Sequence, residues 1–108
     1  LWTLNANGTD LPSHPDRLKV EGVEMTTGSM GQGISVAAGI AYGLRAKDRP
    51  QRVYTIVGDG ELNEGQCWEA IQFISARSLT NLVVLVEEHL SHNLCKDGLG
   101  RAPDAGIM

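Results

Sequence analysis

Two short apolar runs, at residues 53–57 and 82–86, constrain the fold more than any other feature of the sequence. Each run is too short for a helix, and almost no polar residue interrupts it. This pattern predicts strands that are buried on both faces of a parallel sheet. The amphipathic stretch 66–77 between the runs is long enough to form the crossover helix that parallel neighbours require. The segment 53–86 therefore predicts a βαβ unit.

A polar turn, Gly58-Asp59-Gly60, follows the first run directly. In a βαβ unit the functional loop lies at the carboxyl end of the first strand. The Asp59 carboxylate can bind a hard cation, and the N–H groups of the turn and the next helix can face an anion. This combination indicates a phosphate or diphosphate site. The tripeptide alone favours a simpler interpretation, in which Asp59 only caps a turn, because Asp and Gly are common turn residues.

Two helices are predicted from the apolar spacing. The first covers residues 34–44 and ends near Lys47, before Pro50; its apolar positions are Ile34, Ala37, Ala38, Ala41 and Leu44. The second follows the turn, with Asn63 as its predicted N-cap, and buries Cys67, Ala70, Ile71 and Ile74. Residues 1–21, which Gly8, Pro12 and Pro15 interrupt, are predicted to be irregular.

The composition narrows the class of protein. The chain has 108 residues, enough for one domain at most, and it is 42% hydrophobic and 20% charged, as in soluble globular proteins. Its net charge of −4 argues against nucleic acid as a partner, and no apolar run approaches a membrane span. The 2 cysteines have neither metal-ligand nor disulfide spacing, so a cytoplasmic location is expected. A start without Met suggests a piece of a longer protein.

Three blocks of the sequence resemble the transketolase family. GDGELNEGQCWEA, at 58–70, closely resembles the thiamine diphosphate motif of that family. EMTTGSMGQGISVAAGIAYGL, at 24–44, and LPSHPD, at 11–16, resemble two further transketolase blocks, in the family's order and with similar separations. The resemblance extends over 11–86, and three ordered blocks are far more specific than one Gly-Asp-Gly.

The resemblance implies a fold and an activity. The fold is α/β, part of a doubly wound parallel sheet with helices on both faces, and residues 1–108 form a partial thiamine-diphosphate-binding domain. The implied enzyme transfers a two-carbon ketol unit between sugar phosphates, as in the pentose phosphate pathway, with thiamine diphosphate and Mg²⁺ or Ca²⁺. The pyrimidine-binding domain, which carries the glutamate that activates the cofactor, is missing here. A further domain or partner subunit, within a homo-oligomer or hetero-oligomer, is therefore expected, and the chain alone is expected to be inactive.

Resemblance also assigns residues to the diphosphate end of the cofactor. Asp59 is expected to hold the metal ion, and the backbone of Gly58 and Gly60 to lie against the diphosphate. His14 matches a histidine near the diphosphate and the substrate, although Ser13 stands where the family usually has Gly. A lone histidine in a loop is otherwise a solvated surface residue.

At the other end of the cofactor, the backbone at Gly28 and Met30 matches positions that contact the aminopyrimidine ring. A structural role for the glycines, as a tight turn before a helix, is compatible with this assignment. Glu64 matches a carboxylate at the dimer interface near the cofactor, and Glu69 is a weaker member of the same network. Without the resemblance, both would be solvated helix carboxylates.

The sequence departs from the family after the second apolar run. The family has Asp-Asn-Asn or a close variant there, and its asparagine and a nearby carbonyl complete the metal shell. Aligned without a gap, the asparagine falls on His89 and the carbonyl on Ser91; with an insertion, Asn93 becomes the substitute ligand. Imidazole suits Zn²⁺, Ni²⁺ or Cu²⁺ better than Mg²⁺. This break supports one alternative, an interaction and dimerisation module of the same fold that has lost the cofactor.

Two further alternatives remain. A related synthase of deoxyxylulose phosphate uses the same cofactor, but ELNEGQCWEA fits transketolase better. A plain α/β phosphate-binding domain would explain the Gly-Asp-Gly turn but not the three ordered blocks.

Overall fold

A computed structural model describes residues 2–88 of the chain. The order of elements is α1 (Gln32–Ala46), β1 (Val53–Gly58), a 3-10 turn (Glu61–Asn63), α2 (Gly65–Ala76) and β2 (Leu82–Glu87). The predicted α/β class is confirmed, because two strands and two helices alternate along 32–87.

The two strands are adjacent and parallel, as the sequence predicts. The register runs from Val53 opposite Leu82 to Gly58 opposite Glu87, and α2 forms the crossover between them. The Val53 N–H also donates to the Asn81 carbonyl at 2.8 Å, which starts the ladder one residue before β2. The turn after β1 and the end of β2 therefore lie at the same edge of the sheet.

Helix α1 buries four of the five apolar positions predicted for its inner face, and the fifth, Leu44, is half-buried. Ile34, Ala37, Ala38 and Ala41 are buried, at the spacing of one helical face. The helix ends at Ala46, where Lys47 is its C-cap and the Arg49 N–H donates to the Leu44 carbonyl at 2.9 Å. Its predicted end near Lys47 is confirmed.

Helix α2 completes the core. Ile34, Val57, Cys67 and Ala70 form the buried cluster, and partly buried apolar residues, among them Ile71, Ile74 and Val84, pack around it. The helix N-cap is Glu64, whose backbone is extended and whose side chain makes no cap hydrogen bond.

The predicted N-cap at Asn63 was wrong. Asn63 lies in the 3-10 turn, and its side-chain amide donates to the Gly60 carbonyl at 3.2 Å. The physical reason is that the 3-10 turn extends the loop after β1 before the α-helix can begin. The amide of Asn63 is therefore used inside the turn.

Only one face of the sheet is covered by α1 and α2. Val57 and Val84, which lie on the same face by the register, pack in the core with both helices. Tyr54 and Ile56 on the opposite face are 65% and 68% exposed. The burial on both faces that the apolar runs predict is thus absent within residues 2–88, since no described helix covers this second face.

The segment from residue 2 to residue 31 contains turns and bends but no helix or strand, which confirms the irregular structure predicted for its first part. Within residues 2–88, no helix is both long and apolar enough to cross a membrane.

Candidate functional site

The Gly58-Asp59-Gly60 turn leaves the carboxyl end of β1 and remains attached to β2. The Asp59 N–H donates to the Glu87 carbonyl at 3.0 Å, one position beyond the strand pairing. The Gly60 N–H donates to Asp59 Oδ1 at 2.7 Å. The carboxylate expected to hold a metal ion is therefore half-buried and oriented by its own turn at the sheet edge.

Two backbone N–H groups of the turn already donate hydrogen bonds to carboxylate oxygens. The Gly60 N–H, expected to face a diphosphate, is engaged by Asp59 Oδ1. The Gly58 N–H is engaged by Glu61 Oε2 at 3.2 Å. A diphosphate oxygen at this turn would have to share or replace these carboxylate acceptors.

The turn carries a concentration of negative charge. Asp59, Glu61 and Glu64 follow one another within six positions and are all half-buried. Burial raises the pKa of the nearby Cys67 thiol above 9.0, and the charges of Glu61 and Glu64 raise it further. The Cys67 S–H donates to the Glu61 carbonyl at 3.2 Å. Negative charge at this turn disfavours an anion that approaches without a cation.

Glu61 joins the turn to the start of α1. Its Oε1 accepts from the Gly31 N–H at 2.6 Å, while its Oε2 accepts from Gly58. Sequence reasoning missed this residue, because Gly31 is 30 positions away and only the tertiary fold brings it near. The available signal was weak: an acidic residue directly after the turn.

Met30, one of the two residues expected at an aminopyrimidine ring, is also held by the segment after β1. Its carbonyl accepts from Gln66 Nε2 at 2.9 Å. Gly31, its neighbour, adopts a left-handed conformation with φ of 81° at the N-cap of α1. The structure thus brings the block around Met30 into contact with the block that contains Asp59.

His14 and Gly28 are in direct contact. A Cβ atom placed on Gly28 would lie 2.8 Å from His14 Cγ, so only glycine leaves room for the imidazole ring there. The Thr27 N–H donates to the Pro15 carbonyl at 3.2 Å, which ties the two loops together.

These loops border an open depression of about 490 Å³, whose lining includes His14, Thr27, Gly28 and Ser29. The volume lies in the range of small-molecule sites. Gly58, Asp59 and Gly60 are not part of this lining. The residues expected at the diphosphate are thus divided between the depression and the neighbouring turn.

Of the remaining residues expected at the site, the structure describes Glu64 but not the two expected metal ligands after β2. Glu64 begins α2, and its N–H donates to the Glu61 carbonyl at 3.0 Å; its place at a dimer interface stays a prediction. His89 and Ser91, the expected metal ligands, lie outside the described residues. Among residues 2–88, no group of three or more His, Cys, Asp or Glu side chains is arranged to hold a metal ion.

An acidic turn follows a parallel strand at its carboxyl end, and side chains after the turn bind the segment before α1, next to loops that border an open depression. This arrangement is an α/β domain with a candidate ligand site at the carboxyl edge of its sheet, where such domains bind ligands. Residues 3–99 match the family described as "Transketolase, thiamine diphosphate binding domain". The chain belongs to this family.

Curated relatives agree with the match. The chain is 48% identical over 87 residues to a 6-deoxy-6-sulfo-D-fructose transketolase subunit of Clostridium sp. (strain MSTE9), covering 81% of the chain and 32% of the relative. It is 36% identical over 89 residues to an apulose-4-phosphate transketolase subunit of Actinobacillus succinogenes, covering 82% and 32%. It is 43% identical over 88 residues to the transketolase of Pongo abelii, covering 81% and 14%. The chain spans about a third or less of these relatives.

Proposed function

We propose that the chain is the diphosphate-binding part of a transketolase that moves a two-carbon ketol unit between sugar phosphates. The observation that carries the proposal is the tertiary contact of all three motif blocks. His14 packs on Gly28, and Glu61 joins the Gly58 turn to Gly31. Distant blocks that meet at the carboxyl edge of a parallel sheet are the arrangement in which α/β domains bind ligands.

The residues fit thiamine diphosphate with a divalent cation. Asp59 supplies an oxygen ligand of the kind that Mg²⁺ prefers, and the acidic turn requires a positive ion before a diphosphate can approach. The depression beside His14 offers hydroxyl and imidazole groups to an anionic ligand. Ca²⁺ would accept the same ligands.

The chain's own residues have binding and orienting roles in this proposal. Asp59 anchors the cation, His14 contacts the diphosphate or the substrate, and the backbone at Gly28 and Met30 faces the aminopyrimidine ring. When bound, thiamine diphosphate supplies the carbanion stabilisation that cleavage of a carbon–carbon bond needs. Glu64 is proposed to lie near the cofactor at an interface with a second subunit.

The rest of the enzyme is proposed to come from further chain or from a partner subunit. Two of the relatives are named as transketolase subunits, and the chain spans 32% of each. Their names refer to a sulfo sugar and a phosphosugar, which supports an anionic ketose as the substrate. We propose a cytoplasmic oligomer acting in sugar-phosphate metabolism.

Calorimetric titration of thiamine diphosphate with Mg²⁺ into the complete protein tests this function. Asp59→Asn keeps the size of the side chain and removes its charge, so it is expected to abolish or greatly weaken binding. Asp48→Asn is the matched control, because Asp48 is exposed after α1 and Asn tolerates its φ of 50°. Binding that Asp59→Asn leaves unchanged would refute the site. No binding by the unaltered protein would favour the module that has lost the cofactor.

A further inference from the structure

The peptide group that joins Met30 to Gly31 is held at both of its polar ends by side chains from the segment after β1. Its carbonyl accepts from Gln66 Nε2 at 2.9 Å, and its N–H donates to Glu61 Oε1 at 2.6 Å. The carbonyl and N–H of a trans peptide point in opposite directions, so the two bonds hold the group from opposite sides. We propose that Glu61 and Gln66 are positioning residues that fix this peptide plane for thiamine diphosphate, a role that rests on the proposed function.

Two holding side chains are needed because Gly31, a glycine, restrains the peptide little by itself. Glycine crosses between positive and negative φ at little cost, so the Met30–Gly31 peptide could rotate without steric penalty. Rotation by half a turn would point the Met30 carbonyl at the Glu61 carboxylate and the Gly31 N–H at the Gln66 amide. The carbonyl–carboxylate contact would be repulsive, whereas the Gln66 amide could turn its oxygen toward the rotated N–H. The Glu61 carboxylate, which can only accept, therefore selects the orientation, and Gln66 adds a second bond that holds it.

The orientation matters because the same peptide sets the ψ of Met30 and the φ of Gly31. These angles fix the direction of the loop that carries Gly28 and Met30, whose backbone is proposed to face the aminopyrimidine ring. Glu61 also accepts from Gly58 at 3.2 Å, so one carboxylate sets the distance between the diphosphate turn and this loop. Before the cofactor binds, one side chain thus joins the two parts of the chain that are proposed to face the two ends of the cofactor.

The charge of Glu61 is suited to this task. A carboxylate that accepts backbone N–H groups makes stronger bonds than a neutral acceptor, and both of its oxygens are used. It also occupies the amino-terminal end of α1, where the Gly31 N–H would otherwise be open to an anion. Because Glu61 already binds this N–H, the cofactor diphosphate is proposed to bind at the Asp59 turn instead.

The test combines hydrogen–deuterium exchange of the complete protein without cofactor with calorimetric binding of thiamine diphosphate. Glu61→Gln keeps the length of the side chain but replaces one acceptor oxygen with a donor. It is expected to raise exchange in peptides that contain the Gly31 amide by about tenfold and to weaken cofactor binding by a similar factor. Glu21→Gln, an exposed loop change of the same kind, is expected to alter neither.

Gln66 is tested in parallel. Gln66→Met removes the donor at similar length and is expected to weaken cofactor binding about threefold to tenfold. Gln66→Lys keeps an N–H donor within reach of the Met30 carbonyl and is expected to restore most of the affinity. Gln72→Met is the control, because Gln72 is exposed on the same helix.

The outcomes separate this role from the proposed function. Faster exchange in Glu61→Gln, together with unchanged cofactor affinity in both Glu61→Gln and Gln66→Met, would overturn the positioning role while the function stands. Unchanged exchange would overturn the bonds on which the role depends. No binding of thiamine diphosphate by the unaltered protein would overturn the proposed function and this role with it.

Discussion

Replacing Gly31 with alanine is expected to destabilise the protein by two separable effects. Gly31 is buried and has a φ of 81°, a left-handed conformation that costs an L-residue about 1–2 kcal/mol. A Cβ atom there would also lie 2.6 Å from Gln66 Cγ. Gln66 cannot move aside without losing its bond to Met30, so overpacking adds about 1–3 kcal/mol. The expected loss of unfolding free energy is about 2–5 kcal/mol.

Two other glycines provide matched controls for these effects. Gly22 has a φ of 88°, but nothing lies within 4 Å of its missing Cβ, so Gly22→Ala is expected to cost only about 1–2 kcal/mol. Gly39 lies inside α1 with open space around it, and Gly39→Ala is expected to stabilise by about 0.5–1 kcal/mol.

Equilibrium urea unfolding of the complete protein measures the three variants against the unaltered chain. Gly31→Ala is expected to lose the most free energy, followed by Gly22→Ala, while Gly39→Ala gains some. Combining Gly31→Ala with Gln66→Ala should cost less than the sum of the single changes, because the second change removes the clash. A loss for Gly31→Ala no larger than that for Gly22→Ala would refute the close contact with Gln66.

Three further predictions address the metal, the buried thiol and the end of α2. If His89 stands at the family's asparagine, as an alignment without a gap places it, His89→Asn is expected to strengthen Mg²⁺-dependent binding of thiamine diphosphate. If an insertion has instead made Asn93 the ligand, this change should have little effect and Asn93→Ala should weaken binding, which calorimetry distinguishes. The raised pKa of Cys67 means that the folded state favours the neutral thiol. The contribution of this thiol to stability is therefore present below the ordinary pKa of 9.0 and falls as the pH rises through the folded-state pKa. Alkylation of Cys67 by iodoacetamide at pH 8 as fast as that of a free cysteine would contradict a buried, neutral thiol. Arg45 Nη1 donates to the Arg77 and Ser78 carbonyls, both at 2.7 Å, so Arg45→Ala should lower the unfolding free energy by about 0.5–1.5 kcal/mol. Arg49→Ala, a change at another exposed arginine after the same helix, should alter it little, and equal losses in urea unfolding would count against the role of Arg45.

The sequence by itself determined the elements and the class of fold. The two runs are too short for helices and are rich in β-branched residues, which favours strands, and the crossover between them is long enough for parallel pairing. The positions of β1, α2 and β2 could therefore be predicted from local pattern alone. Asp59 was identifiable for the same reason, since its position follows directly from the end of β1. The motif blocks also indicated the transketolase family, which the match over residues 3–99 shows.

Only the tertiary structure decided how the blocks meet. Glu61 bonds Gly31 and Gln66 bonds Met30 across 30 and 36 positions, and no local pattern encodes a contact of that kind. The cap of α2 was mispredicted because local propensity favours Asn63, whereas the 3-10 turn uses its amide for Gly60. A hydrogen bond depends on the position of both partners, and long-range partners are placed by the packing of α1 and α2 on the sheet. Propensity determines where an element forms, but packing determines which side chains its ends encounter.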